Sequence, residues 1–370
     1  LGDLSDRHES LRTIFPQSDG VAVQHILDGP AGRLPLTVVT ATEDELPALV
    51  AERNADGFDL TTELPVRAWL FTTTPTDHVL LIVTHHIAVD GWSMGVLTRD
   101  LQTAYAARTR GEAPGWTPLP VQYGDYALWQ REVLGDPDDE HSIVGGQLGY
   151  WKRTLAGAPP ELTLPLDRPR PAAPTFRGAT VPIEVGADVH AGLLQVAQQG
   201  RATMFMVVHA ALSALLSRVG AGTDIPLGTA IAGRSDAALD DLLGFFINTL
   251  VLRADLSGNP TFAEILDRVR ETDLAAYAHQ DVPFERLVDE LNPVRSLSRN
   301  PLYQISFALL NADGNDTRWR LPGLHAGPYD ALPGLAARDD LSFDLVERRE
   351  SDGSPAGLVG GILFATDLFD

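Results

Sequence analysis

Residues 85–91 read His-His-Ile-Ala-Val-Asp-Gly, a string whose residue types can move a proton and stabilise an anion. A neutral imidazole, with an ordinary pKa near ~6.5, can accept a proton from an amine or a hydroxyl at neutral pH. Gly91 lets a substrate approach the backbone, and N–H groups at the start of a helix favour a developing oxyanion. Asp90 can pair with a cation or orient an imidazole. A turn with a buried, hydrogen-bonded histidine is the structural alternative, but the combined pattern favours a reactive site.

Two elements must position this string. Residues 79–83 form a continuous apolar run, which predicts a buried strand, and residues 92–108 carry apolar side chains at spacings of three and four, which predicts an amphipathic helix. Neighbouring side chains of a strand point to opposite faces, so we expect one of His85 and His86 to face the site and the other to face the structure. The same alternation disfavours a metal ion held by both histidines, and we expect no metal.

Helix and strand patterns alternate along the whole chain, which predicts a mixed α/β (α+β) protein. Six prolines lie between residues 159 and 174, where they exclude a helix or a central strand and indicate a semi-rigid linker. We therefore predict two lobes, 1–174 and 175–370.

The composition narrows the classes of partner. The 370 residues include 28 Lys and Arg against 50 Asp and Glu, a formal net charge of −22, which argues against nucleic acid and anionic membrane as partners. The absence of cysteine excludes disulfides and a thiolate nucleophile. No apolar run approaches the ~20 residues of a membrane span, and we expect a cytoplasmic protein.

An ordered set of motifs resembles the condensation domains of nonribosomal peptide synthetases. The string at 85–91 is similar to the family's His-His-x-x-x-Asp-Gly signature. Further similar segments lie at 7–13 (Arg-His-Glu-Ser-Leu-Arg-Thr), 123–129 (Tyr-Gly-Asp-Tyr-Ala-Leu-Trp), 244–249 (Gly-Phe-Phe-Ile-Asn-Thr), 279–285 and 295–302. The family's opening motif and its last helix are missing, so we expect both ends to be incomplete. Asp339 stands where the family's Lys-Phe-Asp-Leu element has Phe.

The resemblance implies two chloramphenicol acetyltransferase-like lobes arranged as a V-shaped pseudodimer around a central tunnel. It implies an acyltransferase in which the amine of an acceptor aminoacyl thioester attacks a donor peptidyl or aminoacyl thioester. Both would be carried on phosphopantetheine arms that upstream donor and downstream acceptor peptidyl carrier proteins supply, so no cofactor would be bound intrinsically. An adjacent adenylation domain is a further implied partner.

The resemblance also implies roles for individual residues. His86 would act as base or as positioning group for the amine, and the Gly91 N–H would face the oxyanion. Asp90 would be structural and ion-paired to Arg67. His85 and Arg12 would support the site, with Arg12 paired to an acid. Tunnel-lining positions would be Trp92, Ser93, Asn248 and Thr249, where the first two could instead cap the helix and the last two could instead pack.

Two alternatives share much of this pattern. An epimerization domain carries the same histidine signature, although the segments at 123–129 and 295–302 favour condensation. A non-catalytic recruitment module has the same fold but a degraded signature, whereas here His86, Asp90 and Gly91 are intact. Ile87-Ala88 before the acid and Trp92-Ser93-Met94 after it are similar to domains that accept a donor ending in a D-residue.

Overall fold

The computed structural model describes residues 1–293, 296–311, 319–329 and 336–370. Its helices are α1 (Gly2–Arg7), α2 (Leu46–Ala55), α3 (Ser93–Arg108), α4 (Tyr123–Leu134), α5 (Ile143–Thr154), α6 (Ala187–Gln199), α7 (Met204–Leu216), α8 (Phe262–Tyr277) and α9 (Phe284–Leu291). Its strands are β1 (Thr13–Ile14), β2 (Gln17–Ser18), β3 (Val21–Ala22), β4 (His25–Ile26), β5 (Leu36–Thr40), β6 (Val66–Thr72), β7 (His78–Thr84), β8 (Gly178–Val185), β9 (Asp224–Ile231), β10 (Asn248–Asp255), β11 (Ile305–Asn311), β12 (Leu341–Arg349) and β13 (Pro355–Ala365). The mixed α/β prediction is confirmed.

The first compact unit comprises Leu1–Glu132, Ala232–Ile247 and the described part of Gly314–Pro333. Its three-stranded sheet has the order β5-β6-β7, with β5 parallel to β6 and β6 antiparallel to β7. Trp69 and Phe71 pack on α2 from one face of this sheet. The strand expected at 79–83 is present, but Leu80 is exposed, because β7 lies at the edge of this sheet and Leu80 is on the face opposite α2.

The second unit comprises Val133–Ile231 and the described parts of Asn248–Asp313 and Gly334–Asp370. Its six-stranded sheet has the order β10-β9-β11-β12-β13-β8. Side chains of α7 and α8 such as Val207 and Val269 pack on Phe307 of β11 in one core. Pro182 lies in β8 at the sheet edge, as its missing N–H requires. One helical stretch, Met204–Ala221, is long and apolar enough to cross a membrane, but half of it is buried inside the protein.

The boundaries of the compact units differ from the division predicted at residue 174. Helix α5 belongs to the second unit because Leu148 and Trp151 pack with Leu250 and Leu252 of β10. Residues 232–247 belong to the first unit because they contact the turn after β7, as described below. The pattern of prolines marks a linker but carries no information on which core each flanking helix joins, and the two-lobe division stays a prediction.

Strand β12 escaped the sequence patterns because charged residues interrupt its apolar ones. Phe343 and Leu345 are buried and alternate with exposed Asp344, the period of two that a half-buried strand requires. The residues just before β12 include Asp339, which departs from the family pattern, and its neighbour Asp340. Asp340 is buried and receives two hydrogen bonds from the guanidinium of Arg170, at 2.7 and 2.5 Å.

Asp339 is half-buried, and among the described residues no guanidinium donates a hydrogen bond to its carboxylate as Arg170 does to Asp340. Burial raises the pKa of its carboxyl to about 6, although a hydrogen bond from Ser306 lowers it. A carboxyl whose pKa is raised on folding binds more protons in the folded state, so its contribution to stability falls as the pH rises from ~4 towards ~6. The full shift of about two pKa units corresponds to at most ~3 kcal/mol at neutral pH.

We therefore expect Asp339→Asn to have a higher free energy of unfolding than the unsubstituted protein at pH 7.5. At pH 5 this advantage should be smaller by ~1 kcal/mol. Asn keeps the shape and a hydrogen-bond acceptor for Ser306 but carries no charge to bury. Urea unfolding at the two pH values measures the difference, with Asp138→Asn at an exposed loop position as control. An advantage of Asp339→Asn that is the same at both pH values would contradict the burial of a titrating carboxyl.

Candidate functional site

The candidate site lies in the turn between β7 and α3 of the first unit. Asp90 is buried in this turn, and its carboxylate accepts hydrogen bonds from the backbone N–H of Ser93 at 2.8 Å and from the Ser93 hydroxyl at 2.7 Å. Its second oxygen accepts from the backbone N–H of Phe246 at 3.0 Å. The carboxylate thus holds the first turn of α3 and ties it to residues 232–247.

The segment 232–247 closes the other side of the turn. The Gly244 carbonyl accepts from the Asp90 N–H at 3.0 Å and lies 3.0 Å from the Ser93 hydroxyl. Ser93 is fully buried, and its hydroxyl also accepts from the Arg234 guanidinium at 2.9 Å. The prediction that Ser93 lines a tunnel is therefore wrong, because all of its polar atoms hold the turn together.

The predicted ion pair between Asp90 and Arg67 is also wrong. The guanidinium of Arg67 pairs with Glu63 at 2.6 Å and lies over the ring of Phe58, 4.3 Å from its centroid. The cation nearest to the Asp90 carboxylate is Arg234, at 3.6 Å. Arg67 instead supports the loop that precedes β6, and its position on a neighbouring strand did not decide the direction of its side chain.

Arg234 is the residue that the sequence patterns missed. Burial lowers the pKa of its guanidinium below the ordinary value, and the charge of Asp90 opposes that shift. The guanidinium donates to the carbonyls of Leu239 and Leu242 and lies over the ring of Phe246, 4.1 Å from its centroid. No local motif points to this contact, since Arg234 lies in a different part of the chain from Asp90.

Gly244 lets the two segments approach each other. A Cβ atom at this position would lie 2.3 Å from Cδ2 of Tyr123 and 2.6 Å from Cε2 of Phe246, so no larger residue fits. Tyr123 packs on Phe246 with ring centroids 5.2 Å apart, and its hydroxyl donates to the Phe245 carbonyl at 2.8 Å. The motifs at 123–129 and 244–249 therefore meet behind the turn that carries the histidines.

His86 presents a free acceptor nitrogen. Its Nδ1 lies 2.9 Å from the carbonyl oxygen of Val89. Because a carbonyl oxygen only accepts, Nδ1 carries the hydrogen, and the Nε2 lone pair of the neutral ring is left to accept a proton or a hydrogen bond. The side chain is exposed, so Nε2 is accessible to a substrate.

His85 has the opposite arrangement. Its Nδ1 accepts the backbone N–H of Ile87 at 3.1 Å, so the neutral ring carries its hydrogen on Nε2. Burial, together with the neighbouring His86, lowers the pKa of the His85 imidazole. The ring packs against Phe58 with centroids 6.0 Å apart. The role of His85 in supporting the site stays a prediction.

Gly91 lies at the open side of the same turn. A Cβ atom at this position would meet no heavy atom within 4 Å. Within the described part of the chain, the Gly91 N–H donates to no hydrogen-bond acceptor. Trp92 and Met94 follow it with 39% and 42% of their surfaces exposed. This side of the turn offers an N–H donor beside partly exposed apolar side chains.

The remaining predicted residues have definite contacts. Arg12 pairs with Glu9 at 3.1 Å and with Asp28 at 2.8 Å, which confirms its pairing with an acid. The Asn248 side chain donates to the carbonyls of residues 280 and 282 and accepts from the N–H of residue 284, and so links β10 to the start of α9. The tunnel-lining role of Asn248 and Thr249 stays a prediction.

Two further points concern the motifs and metal ions. Arg295, which opens the segment at 295–302, lies outside the described residues. Among the residues that the structure describes, no group of three or more His, Asp or Glu side chains is placed to hold a metal ion.

Comparison with known proteins agrees with this architecture. The family model of the condensation domain matches residues 1–369. The chain is 50% identical over 369 residues to a dimodular nonribosomal peptide synthase of Bacillus subtilis and 48% identical over 373 residues to an isonitrile lipopeptide synthase of Mycobacterium tuberculosis. Each match covers 100% of this chain but 15% of the relative, so the chain spans a small part of their length.

A solved structure shows the same fold. The X-domain from teicoplanin biosynthesis is 41% identical and superposes with a TM-score of 0.91, covering 100% of this chain and 81% of that one. Together with the match to the family model over nearly the whole chain, this likeness shows the chloramphenicol acetyltransferase-like fold. The chain belongs to the condensation-domain family of nonribosomal peptide synthetases.

Proposed function

We propose that this chain forms amide bonds between two thioesters carried on phosphopantetheine arms. The observation that carries the proposal is the pairing of an accessible acceptor nitrogen, Nε2 of His86, with an N–H donor at Gly91 on the same short turn. Acyl transfer to an amine requires an acceptor for the amine proton and a donor for the carbonyl oxygen.

In this mechanism the lone pair of the acceptor amine forms a C–N bond to the donor carbonyl carbon. The amine proton passes to Nε2 of His86, while the Gly91 N–H donates to the developing oxyanion. The C–S bond then breaks, and the departing thiolate takes the proton from the imidazolium to leave a free thiol. If His86 only positions the amine, it accepts the same hydrogen bond, and the amine proton passes to the departing sulfur to leave the same free thiol. Tethering both substrates removes much of the entropic cost of bringing them together.

The implied partners and location follow from the same proposal. An upstream carrier protein supplies the donor, a downstream carrier protein supplies the acceptor, and an adjacent adenylation domain selects the acceptor residue. The phosphopantetheine arms belong to the carriers, so the chain needs no cofactor of its own. We place this activity in the cytoplasm, and the residues at 87–88 and 92–94 favour a donor that ends in a D-residue.

The two rival functions predict different products. An epimerization domain would invert a carrier-bound residue, using the same histidine signature. A recruitment module would bind a second protein and form no product. The likeness to an X-domain is the observation that favours this alternative. The intact constellation of His86, Asp90 and Gly91, with Nε2 accessible, supports a catalytic role over recruitment.

The test is a reconstitution with the two carrier domains that flank this chain in its synthetase. Each carrier is loaded with one of a panel of proteinogenic aminoacyl groups, the donor in both L and D forms, and products are followed by mass spectrometry and chiral chromatography. We expect an amide on the downstream carrier, with more product from the D donor. An inverted residue without amide formation would establish epimerization, and absence of both products across the panel would overturn the enzymatic proposal.

A further inference from the structure

Phe245 is the second residue of the motif at 244–249, and the proposed mechanism gives it no role. Its ring packs edge-to-face against the imidazole of His86, with centroids 4.9 Å apart and an interplanar angle of 88°. Phe245 is half-buried, whereas the His86 side chain that it contacts is exposed. Contacts of this geometry are favourable between aromatic rings.

The backbone around Phe245 is fixed at three consecutive residues. The Gly244 carbonyl accepts from the Asp90 N–H at 3.0 Å, the Phe245 carbonyl accepts from the Tyr123 hydroxyl at 2.8 Å, and the Phe246 N–H donates to the Asp90 carboxylate at 3.0 Å. Two of these three bonds end on Asp90, in the turn that carries His86. The backbone that carries the Phe245 ring is therefore held in a constant position relative to that turn.

His86 needs such a contact because its own anchoring is slight. One hydrogen bond, from Nδ1 to the Val89 carbonyl, fixes one ring atom of an exposed side chain. Rotation about the two side-chain torsions would break this bond and change the direction in which Nε2 points. A packing partner against the imidazole removes that freedom, and a misplacement of about 1 Å at a reacting group can cost ~10²-fold in rate.

We propose that Phe245 is a positioning residue that holds the His86 imidazole with Nδ1 on the Val89 carbonyl and Nε2 directed at the substrate. This inference rests on the proposed function for its effect on rate, but the orientation of the ring can be measured without turnover.

The test compares three substitutions of Phe245 with a matched control. Phe245→Ala removes the ring, Phe245→Leu keeps apolar volume, and Phe245→Tyr restores an aromatic ring. The control is Phe58→Ala, because Phe58 packs edge-to-face on His85 in the same unit, with centroids 6.0 Å apart and an angle of 85°. Circular dichroism and thermal unfolding establish that each variant is folded, and Phe245→Leu serves in the comparison if Phe245→Ala is not.

Two readouts separate positioning from general structural support. In the reconstituted assay with loaded carrier domains, we expect Phe245→Ala to lower kcat ~10–100-fold with KM changed less than ~3-fold, Phe245→Tyr to recover most of kcat, and Phe58→Ala to change neither. In ¹⁵N NMR of the histidine side chains, we expect the His86 signal to show hydrogen on Nδ1 in the unsubstituted protein and in Phe245→Tyr. In Phe245→Ala that signal should shift towards a mixture of both tautomers.

The outcomes distinguish this inference from the proposed function. An unchanged His86 tautomer and an unchanged kcat in Phe245→Ala would overturn the positioning role, as would an equal loss of kcat in Phe58→Ala. If the unsubstituted protein forms no amide, the proposed function fails, and the NMR comparison alone then decides whether Phe245 orients His86.

Discussion

Replacement of His86 by alanine is expected to reduce amide formation between loaded carrier domains by ~10²–10⁴-fold, the range by which a positioned proton acceptor accelerates such a step. The physical reason is that Nε2 of His86 is an accessible acceptor, because Nδ1 of the same ring carries the hydrogen and donates it to the Val89 carbonyl. Single-turnover rates with donor and acceptor carriers measure the loss directly. The fold should be retained, since the exposed ring makes one hydrogen bond.

The neighbouring histidine provides the matched control. His85→Asn keeps an acceptor for the Ile87 N–H, the contact that His85 makes through Nδ1. We expect this variant to retain activity within about tenfold, because the His85 imidazole that it replaces offers no unprotonated nitrogen to a substrate. An unchanged dipeptide yield in folded His86→Ala, or an equal loss in both variants, would refute the assignment of His86.

His86→Gln then separates the two roles that the residue could have. A glutamine carbonyl can accept a hydrogen bond from the amine but cannot take up its proton at neutral pH. If His86 positions the amine, this variant should recover a substantial part of the rate that His86→Ala loses. If His86 is the base, both variants should be equally slow at saturating concentrations of the loaded carriers.

The local parts of this site could be predicted from the sequence. Periodicity predicts strand β7 and helix α3, and the residue types at 85–91 predict the turn between them. These signals are local, because each involves residues that are close together in the chain. The same reasoning placed Gly91 in the site but left open which of His85 and His86 faces it, and only the family resemblance pointed to His86. The geometry of His86 and Gly91 is what the proposed chemistry uses.

The parts that failed depend on contacts between distant segments. The resemblance implied an ion pair between Asp90 and Arg67, yet the Asp90 carboxylate faces residues 232–247 and Arg234. Ser93 was expected to line a tunnel or to cap the helix, yet it is completely buried beside the same segment. Neither the periodicity of α3 nor the motif at 244–249 specifies that these segments touch, so only the fold could supply the partner.

Removal of the Asp90 carboxylate should therefore affect stability more than chemistry. Asp90→Ala would leave the Arg234 guanidinium buried without its anion and would take the acceptor from the N–H groups of Ser93 and Phe246. Breaking a buried charged pair in this way costs about 3–5 kcal/mol. That is a large part of the ~5–15 kcal/mol that stabilises a typical folded protein, so the soluble yield should fall as well.

Urea unfolding measures this cost against two controls. Arg67→Ala breaks the pair with Glu63, which is half exposed, and should lower the free energy of unfolding by ~1 kcal/mol or less. His86→Ala alters the turn that carries Asp90 without removing a buried charge, and it should lower the free energy of unfolding by no more than Arg67→Ala does. Equal unfolding midpoints for Asp90→Ala and Arg67→Ala would show that Asp90 does not hold the turn through Arg234.

A double variant makes the test specific to the pair and remains usable if Asp90→Ala does not fold. Asp90→Asn keeps the shape of the side chain and Arg234→Gln keeps the first part of its stem and a polar end, but each leaves the opposite charge buried, whereas the double variant removes both charges together. If the two charges stabilise each other, the double variant should lose less free energy of unfolding than the sum of the single losses, by ~1 kcal/mol or more. Additive losses would mean that Asp90 acts only through its hydrogen bonds to residues 93 and 246. Arg234 would then be held by the Leu239 and Leu242 carbonyls, the Ser93 hydroxyl and the ring of Phe246.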